Sequence, residues 1–306
     1  MLIWKPTSRL VLSACALAMA ARTIAQTPTQ IQSVTLMPAI VEAGAPELIR
    51  VAAPDAASVE GDWLGPELGP KIDQKLAFFP SRDGSAWFAL AGVDVESAAG
   101  PSTLHIAAKT TAGATRDLSQ SIEIHESRYR TGALSVEPRF VEPPPEAIKR
   151  IEAEVALKQK IFAASATQPL WSGDFRAPVN APPTDSFGTR RTFNGKLASV
   201  HKGMDFRART GTPVHAGNSG VVVLARPLYY EGNCVVIDHG LSLYTISMHL
   251  SRIDVHEGQR VATGQLLGLS GATGRVTGPH LHWAVRWRDA YLDPAKLLKI
   301  NLGAVR

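Results

Sequence analysis

Apolar and polar positions alternate in short runs through the region between residues 31 and 128. The runs begin at Val34, Leu48, Ala86, Leu104 and Ile122. Alternation with a period of two predicts strands with one buried face, and the turn residues between the runs predict short connections. Asp83-Gly84 lies between two pairs of aromatic residues and indicates a hairpin. We therefore expect an immunoglobulin-like β-sandwich over residues 27–130.

Prolines mark residues 131–185, which we interpret as a linker with one helix. Pro145 is suited to the first helical position, since the N–H group that proline lacks has no partner there. Ile148, Ile151, Val155 and Phe162 follow at spacings of three, four and seven residues. This period predicts a helix of about five turns with an apolar face.

Strands and glycine turns predominate again in residues 186–300, so the chain as a whole is predicted to be all-β. Residues 280–287 alternate strictly, which places His280 and His282 on one face of a strand. Residues 243–250 alternate in the same way and place His249 on a face with Thr245 and Ser247. Two similar segments, which begin at Gly211 and Gly258, suggest a sheet sandwich built from two related hairpin units.

Length and composition agree with two globular domains. The chain has 306 residues, of which 45% are hydrophobic and 19% are charged, values that are not typical of disorder. No segment reaches the about 20 apolar residues of a transmembrane helix. The oligomeric state stays open.

Residues 1–25 have the layout of a secretory signal peptide. Lys5 and Arg9 precede an apolar run from Leu10 to Ala21, and small residues follow at Thr23 and Ala25. We expect cleavage near Ala25 and an exported protein, either periplasmic or fully secreted. A lipoprotein signal at Cys15 is the alternative, although it leaves a core of only five residues, Leu10 to Ala14, where about 7 to 15 are usual.

Charge gives no indication of a nucleic-acid partner. The predicted signal peptide holds three of the 32 basic residues and no acid, so its removal lowers the formal net charge from +5 to +2. No basic run remains that would suit nucleic acid, whereas a mild positive charge suits an anionic cell envelope.

The C-terminal region contains the residue types of a catalytic zinc site. His201 and Asp205 are four positions apart, about 13 Å in a straight strand, so a shared metal ion requires a bend, which Gly203 permits. Catalytic zinc usually takes three N or O ligands and a water that becomes a nucleophile near neutral pH. Further histidines can take the proton of that water or stabilise an oxyanion. Spacing alone does not decide whether His280 or His282 binds the metal.

The ordered motifs of this region resemble the lysostaphin-type zinc metallopeptidases, also called the LytM family. The match covers residues 186–298. It rests mainly on Ser186-Phe-Gly-Thr-Arg-Arg-Thr-Phe-Asn, His201-Lys-Gly-Met-Asp-Phe, Met248-His-Leu, Thr277-Gly-Pro-His-Leu-His and Asp293-Pro. The resemblance implies a two-sheet β fold for residues 186–300, zinc as the cofactor, and the peptide part of bacterial peptidoglycan as the substrate.

The resemblance also implies roles for individual residues. The family's metal ligands fall on His201, Asp205 and His282, and its catalytic histidines fall on His249 and His280. It gives no role to the other histidines of the domain, which are His215, His239 and His256. Four arginines are candidates for contact with carboxylates of the wall peptide, with solvation at the surface as the competing interpretation. They are Arg190, Arg191, Arg275 and Arg286.

Three functions remain open at this stage. The first is a zinc endopeptidase that hydrolyses the peptide cross-links of peptidoglycan, which the complete set of five positions favours. The second is a non-catalytic partner that activates another wall hydrolase, as family members that have lost metal ligands do. The third is an endopeptidase that acts on glycine-rich proteins or on a competitor's wall.

Overall fold

The computed structural model describes residues 1, 31–65, 74–303 and 305. Within these residues strands predominate and two α-helices occur, which confirms the prediction of a β-rich fold. The predicted signal peptide and the alternative signal at Cys15 lie, apart from Met1, outside the described residues. None of the helices described has the length and apolarity needed to cross a bilayer.

The described N-terminal half contains two sheets. Its strands are β1 (Ser33–Met37), β2 (Val41–Glu42), β3 (Pro46–Ala52), β4 (Ala56–Leu64), β5 (Gln74–Ala77), β6 (Phe79–Pro80), β7 (Trp87–Gly92), β8 (Gly100–Thr110) and β9 (Thr115–His125). The strand orders are β1-β3-β7-β6 and β2-β9-β8-β4-β5. Each predicted apolar run overlaps a strand. The hairpin predicted at Asp83-Gly84 joins β6 to β7, with Phe79 opposite Phe88, whereas an immunoglobulin-like topology stays a prediction.

The linker region contributes a strand as well as helices. It contains β10 (Thr131–Leu134), a 3-10 helix (Pro138–Phe140) and α1 (Pro145–Phe162). Pro145 occupies the first helical position, and the 18 residues of α1 give the five turns expected. Strand β10 was not predicted, because four residues of mixed character carry no periodic signal.

The predicted apolar face of α1 is wrong in part. Ile148 and Val155 are 45% and 44% exposed. The side that packs against the C-terminal domain carries Leu157, Ile161 and Phe162. A polar contact fixes the same side, since a carboxylate oxygen of Glu154 accepts the backbone N–H of Tyr229 at 2.8 Å. The periodicity of apolar residues cannot detect a packing face that also contains polar residues with hydrogen bonds to the neighbouring domain.

The C-terminal half contains one large sheet, one small sheet, and a third sheet that it shares with the linker. Its elements are β11 (Pro183–Asp185), β12 (Arg190–Phe193), β13 (Leu197–Val200), β14 (Met204–Phe206), β15 (Pro213–His215), β16 (Gly220–Leu228), β17 (Gly232–Asp238), β18 (Leu243–Leu250), β19 (Arg252–Ile253), β20 (Arg260–Val261), β21 (Leu266–Leu269), β22 (Leu281–Trp287), β23 (Ala290–Leu292) and α2 (Pro294–Leu297). The large sheet has the order β11-β14-β22-β18-β17-β16-β20, and β23 pairs with β22. The small sheet has the order β15-β21-β19, and the sheet shared with the linker has the order β10-β12-β13. The two similar segments found in the sequence pair with each other, β15 with β21 and β16 with β20.

Both faces of the central strands of the large sheet are covered. Trp283 and Val285 of β22 point into a core that includes residues of the small sheet and of the N-terminal half. Ile246 and Ala284 point to the opposite side, beneath α1. This double coverage fixes the strands that carry the candidate site.

The N-terminal half packs directly against the edge of the large sheet. The Phe79 and Trp171 rings meet edge to face, with centroids 5.8 Å apart. The Asp293 N–H donates to the Gly44 carbonyl at 2.7 Å. One hydrophobic cluster therefore runs from the N-terminal sheets to the C-terminal sandwich.

Candidate metal centre and cleft

A regular strand pair brings together two of the proposed ligands. In the antiparallel pairing of β14 with β22, Asp205 lies directly opposite His282. Side chains opposite each other in such a ladder lie on the same face and close together. The His282 Nδ1 atom accordingly lies 2.9 Å from Asp205 Oδ1.

His201 reaches the same point through the predicted bend. The chain bends at Gly203, and His201 Nε2 comes to lie 3.1 Å from Asp205 Oδ1 and 3.0 Å from His282 Nδ1. A Cβ atom at position 203 would lie only 2.4 Å from His282 Nε2. Glycine is therefore required at this position for close approach to a ligand side chain.

The donor set fits zinc. His201, Asp205 and His282 each direct one ligand atom into a cluster whose members lie within 4.8 Å of one another. All three residues are buried. Ligand atoms about 3 Å apart can share an ion at the bond lengths of about 2.0–2.2 Å that zinc forms with imidazole and carboxylate. A set of three leaves the fourth zinc position open for water or substrate.

Surrounding groups orient these ligands. His201 donates its Nδ1–H to the Ser186 carbonyl at 2.9 Å, which leaves Nε2 unprotonated for a metal. Asp205 Oδ2 accepts a hydrogen bond from the Nη2 group of Arg191 at 2.9 Å. The same guanidinium also pairs with Asp185. This network sets the tautomer of one ligand and the orientation of another.

The protonation states of the cluster also suit metal binding. Burial alone would raise the pKa of Asp205, but hydrogen bonds and charge from His201 and His282 outweigh it and hold that pKa well below its usual range. Burial lowers the pKa of the His282 imidazole to about 4. An ionised carboxylate and a neutral imidazole are the forms that coordinate a metal.

His249 lies beside this cluster, but on a face different from the predicted one. Strict alternation would place it with Thr245 and Ser247. The pairing of β17 with β18 instead shifts register between Asn233 and Val235, and His249 has φ of 65°. An extra residue in one strand bends it and redirects side chains. His249 thereby turns toward the cluster, with its ring centroid 6.0 Å from that of His282.

His249 and His280 form a second histidine pair at the cleft. Their ring centroids are 5.0 Å apart. Each donates its Nδ1–H to a backbone carbonyl, of Thr273 at 2.9 Å and of Gly278 at 2.8 Å, respectively. Both Nε2 atoms are therefore free for proton transfer or for contact with substrate. His280 Nε2 lies 3.7 Å from Asp205 Oδ1.

Burial keeps His249 neutral. Desolvation, followed by the effects of His282 and His280, lowers the pKa of His249 to about 3. At neutral pH its Nε2 is consequently a proton acceptor. In this state the Nε2 atom can accept a hydrogen bond from a water molecule or from a substrate group.

The remaining histidines of the domain do not reach the cleft. His239 is buried and uses both ring nitrogens, with contacts of 2.8 Å to the Ser219 carbonyl and 2.8 Å to Thr245 Oγ1. His215 is partly exposed and His256 is exposed. His239 is therefore held in place by its neighbours. The family resemblance likewise gives it no catalytic or metal-binding role.

A cleft of about 380 Å³ opens at the two histidine pairs. Part of its wall comes from the linker, because β10 pairs in parallel with β12 and brings Leu134 and Val136 to the cleft. Tyr230, Glu231 and Arg275 also line it. The sequence analysis identified Arg275 among these residues and missed the others. Aliphatic and tyrosine side chains carry no chemical signature, and Glu231 belongs to none of the motifs found in the sequence.

Comparison with protein families matches residues 199–294 to peptidase family M23. The peptidoglycan DD-endopeptidase ShyA of Vibrio cholerae is 48% identical over 107 residues, which are 35% of this chain and 24% of that protein. The DD-carboxypeptidase/endopeptidase Mpg of Neisseria meningitidis is 38% identical over 98 residues, 32% of this chain and 23% of that protein. The chain thus spans about a quarter of the length of these curated relatives.

One solved structure is similar over most of the chain. It is a crystal structure from Pseudomonas aeruginosa of a protein described as a candidate M23 peptidase, with a TM-score of 0.60 and 27% identity. The match covers 83% of this chain and 95% of that one. The sequence similarity to known peptidases lies in the C-terminal domain, which carries the His-Asp-His cluster. Residues 199–294 are therefore similar to peptidase family M23, and the fold of the chain is similar to that of a protein described in the same terms.

Proposed function

We propose that the protein is a zinc-dependent endopeptidase that hydrolyses peptide cross-links of peptidoglycan. His201, Asp205 and His282 are the metal ligands, and His249 and His280 are the catalytic histidines. The observation that carries the proposal is the convergence of three buried ligand atoms, about 3 Å apart, beside two free Nε2 atoms. The names of the curated relatives, both endopeptidases, support the same substrate class.

The residues divide the chemistry between them. Bound zinc would acidify a water molecule and polarise the substrate carbonyl. His249 and His280 hold their Nε2 atoms toward the reacting groups, because backbone carbonyls occupy their Nδ1–H groups. One Nε2 accepts the proton of the attacking water, and the proton then passes to the amine that leaves. Burial keeps the Nε2 atom of His249 unprotonated at neutral pH, so it can accept a hydrogen bond from the water.

An exported protein is part of the proposal. The signal-peptide layout of residues 1–25 and the extracytoplasmic location of peptidoglycan both support it. Periplasmic and secreted destinations are both compatible with this layout. The mass of the mature protein in fractionated cells tests it, and a chain that kept residues 1–25 in the cytoplasm would contradict it.

The test of the activity combines zinc content with the release of new amino groups from purified peptidoglycan. We expect the mature protein to bind about one zinc per chain and to release amino groups. His280→Ala should keep the zinc and lose activity by about 100-fold or more, whereas His201→Ala should lose the zinc as well. Bound zinc without release from any wall preparation would contradict the peptidase and favour the non-catalytic partner. Release from glycine-rich peptides alone would favour the third function.

A further inference from the structure

The guanidinium group of Arg275 lies in the cleft wall, close to the faces of two aromatic rings. Its Cζ atom is 4.6 Å from the ring centroid of Phe193 and 4.9 Å from that of Tyr230. All three residues line the same cleft as His249 and His280. Contact with both rings restricts the positions that the guanidinium group can take.

The backbone fixes Arg275 as well. Its N–H donates to the Tyr230 carbonyl at 2.8 Å. The preceding Gly274 has φ of 76°, and a Cβ atom there would lie 2.3 Å from the backbone nitrogen of Gly232. The loop that carries the arginine therefore sits tightly on the turn before β17.

Among the described residues, this guanidinium has no carboxylate within salt-bridge distance and donates no side-chain hydrogen bond. Arg191, in the same cleft, pairs with both Asp185 and Asp205. Glu231 is near enough to raise the pKa of Arg275, but its carboxylate pairs with Lys158. Burial has the larger effect and lowers the pKa of Arg275. A partly buried cation with no carboxylate in direct contact is stabilised by a carboxylate ligand.

We propose that Arg275 is a specificity-determining residue that binds a free carboxylate of an acidic peptide substrate. The inference rests on the proposed peptidase function and adds the substrate group that the cleft selects. A guanidinium group held close to aromatic rings can offer its planar N–H edge to a carboxylate, which accepts it in bidentate fashion. The competing interpretation, a solvated surface arginine, does not account for two flanking rings.

The test uses two cross-linked muropeptides that differ in one group. The first carries a free α-carboxylate next to the cross-link, and the second carries a carboxamide there. Wild-type protein should cleave the carboxylate form with a KM about 10- to 100-fold lower, the range expected for a charge-assisted hydrogen-bonded pair. Arg275→Gln should remove this preference mainly through KM, and Arg275→Lys should restore part of it because the charge returns without the planar fork.

Arg260→Gln is the matched control, because Arg260 is exposed on β20 and does not line the cleft. It should keep the full preference. Zinc content and thermal unfolding, measured for each variant, identify any misfolded protein. If Arg275→Gln does not fold, the Arg275→Lys variant decides, and a preference equal to that of wild type would overturn the proposal.

A binding measurement separates this inference from the peptidase function. Both muropeptides are titrated into His280→Ala protein with and without Arg275→Gln. Selective binding of the carboxylate form that disappears with Arg275→Gln supports the inference even if no cleavage occurs, and only the peptidase function would then fail. Cleavage of both muropeptides with equal KM by wild-type protein, or equal binding of both, would overturn the inference and leave the peptidase function intact.

Discussion

Two corners of the candidate site are built in opposite ways. The ligand corner, made of His201, Asp205 and His282, uses a regular antiparallel register and a close-packed glycine. The histidine corner, made of His249 and His280, uses irregular backbone and loop carbonyls. Regular pairing gives close, reproducible distances between ligand atoms, whereas irregular backbone directs side chains where a regular strand cannot.

The backbone conformation of His249 shows the energetic cost of the histidine corner. A non-glycine residue with positive φ costs about 1–2 kcal/mol. Two contacts of 2.9 Å hold it there: its N–H donates to the Glu231 carbonyl, and its Nδ1–H donates to the Thr273 carbonyl. Backbone strain of this kind is concentrated at functional sites.

Replacement of His249 should separate the two corners most clearly. We expect His249→Ala to lower kcat by about 100- to 10,000-fold, because a positioned proton acceptor contributes that much. Zinc affinity should stay near that of wild type, since the ligand atoms belong to the other corner. Turnover of a cross-linked muropeptide and a zinc competition titration measure both quantities.

His215→Ala is the control, because His215 is partly exposed and does not line the cleft. It should leave both quantities unchanged. Loss of zinc in His249→Ala would mean that this histidine belongs to the metal centre, and the division into two corners would be wrong.

Sequence reasoning worked best where the backbone is regular. Strict alternation placed His280 and His282 on one face, and the four-residue spacing of His201 and Asp205 required the bend that lies at Gly203. The structure brings all five predicted residues to one cleft. The face of His249 was predicted wrongly, because a β-bulge leaves no mark in a period-two pattern.

Other parts of the cleft depend on pairings distant in sequence. Strand β10 joins β12 across nearly sixty residues of chain, and nothing in Leu134 or Val136 indicates that contact. The packing face of α1 was missed for a related reason, since Glu154 contributes a polar anchor. The periodicity of apolar residues in a helix or strand indicates which of its faces is buried. It does not indicate which other element covers that face.

Gly203→Ala should damage the ligand corner without removing a ligand. The new Cβ would lie 2.4 Å from His282 Nε2, so His282 or the β14 backbone has to move. We expect zinc affinity to fall by about 10- to 100-fold, the range seen when groups around metal ligands are disturbed. Chelator competition measures it.

Gly132→Ala provides the comparison, because a Cβ atom there meets nothing within 4 Å. Its zinc affinity should equal that of wild type. Equal affinity in Gly203→Ala would show that the ligand corner tolerates displacement of His282, and the case for a rigid ligand corner would fail.

The smallest expected effect concerns the support of Asp205. Arg191 donates to Asp205 Oδ2 at 2.9 Å and also pairs with Asp185. Arg191→Gln would leave these two carboxylates without a shared cation, so the carboxylate of Asp205 would lose both orientation and charge balance. We expect about a tenfold loss of zinc affinity, measured with the same chelator competition.

Arg190→Gln, at the neighbouring exposed position of β12, is the control and should leave zinc affinity unchanged. Equal zinc affinity in the two variants would mean that the pairing of β14 with β22 alone orients Asp205. The ligand corner would then need no support from a side chain.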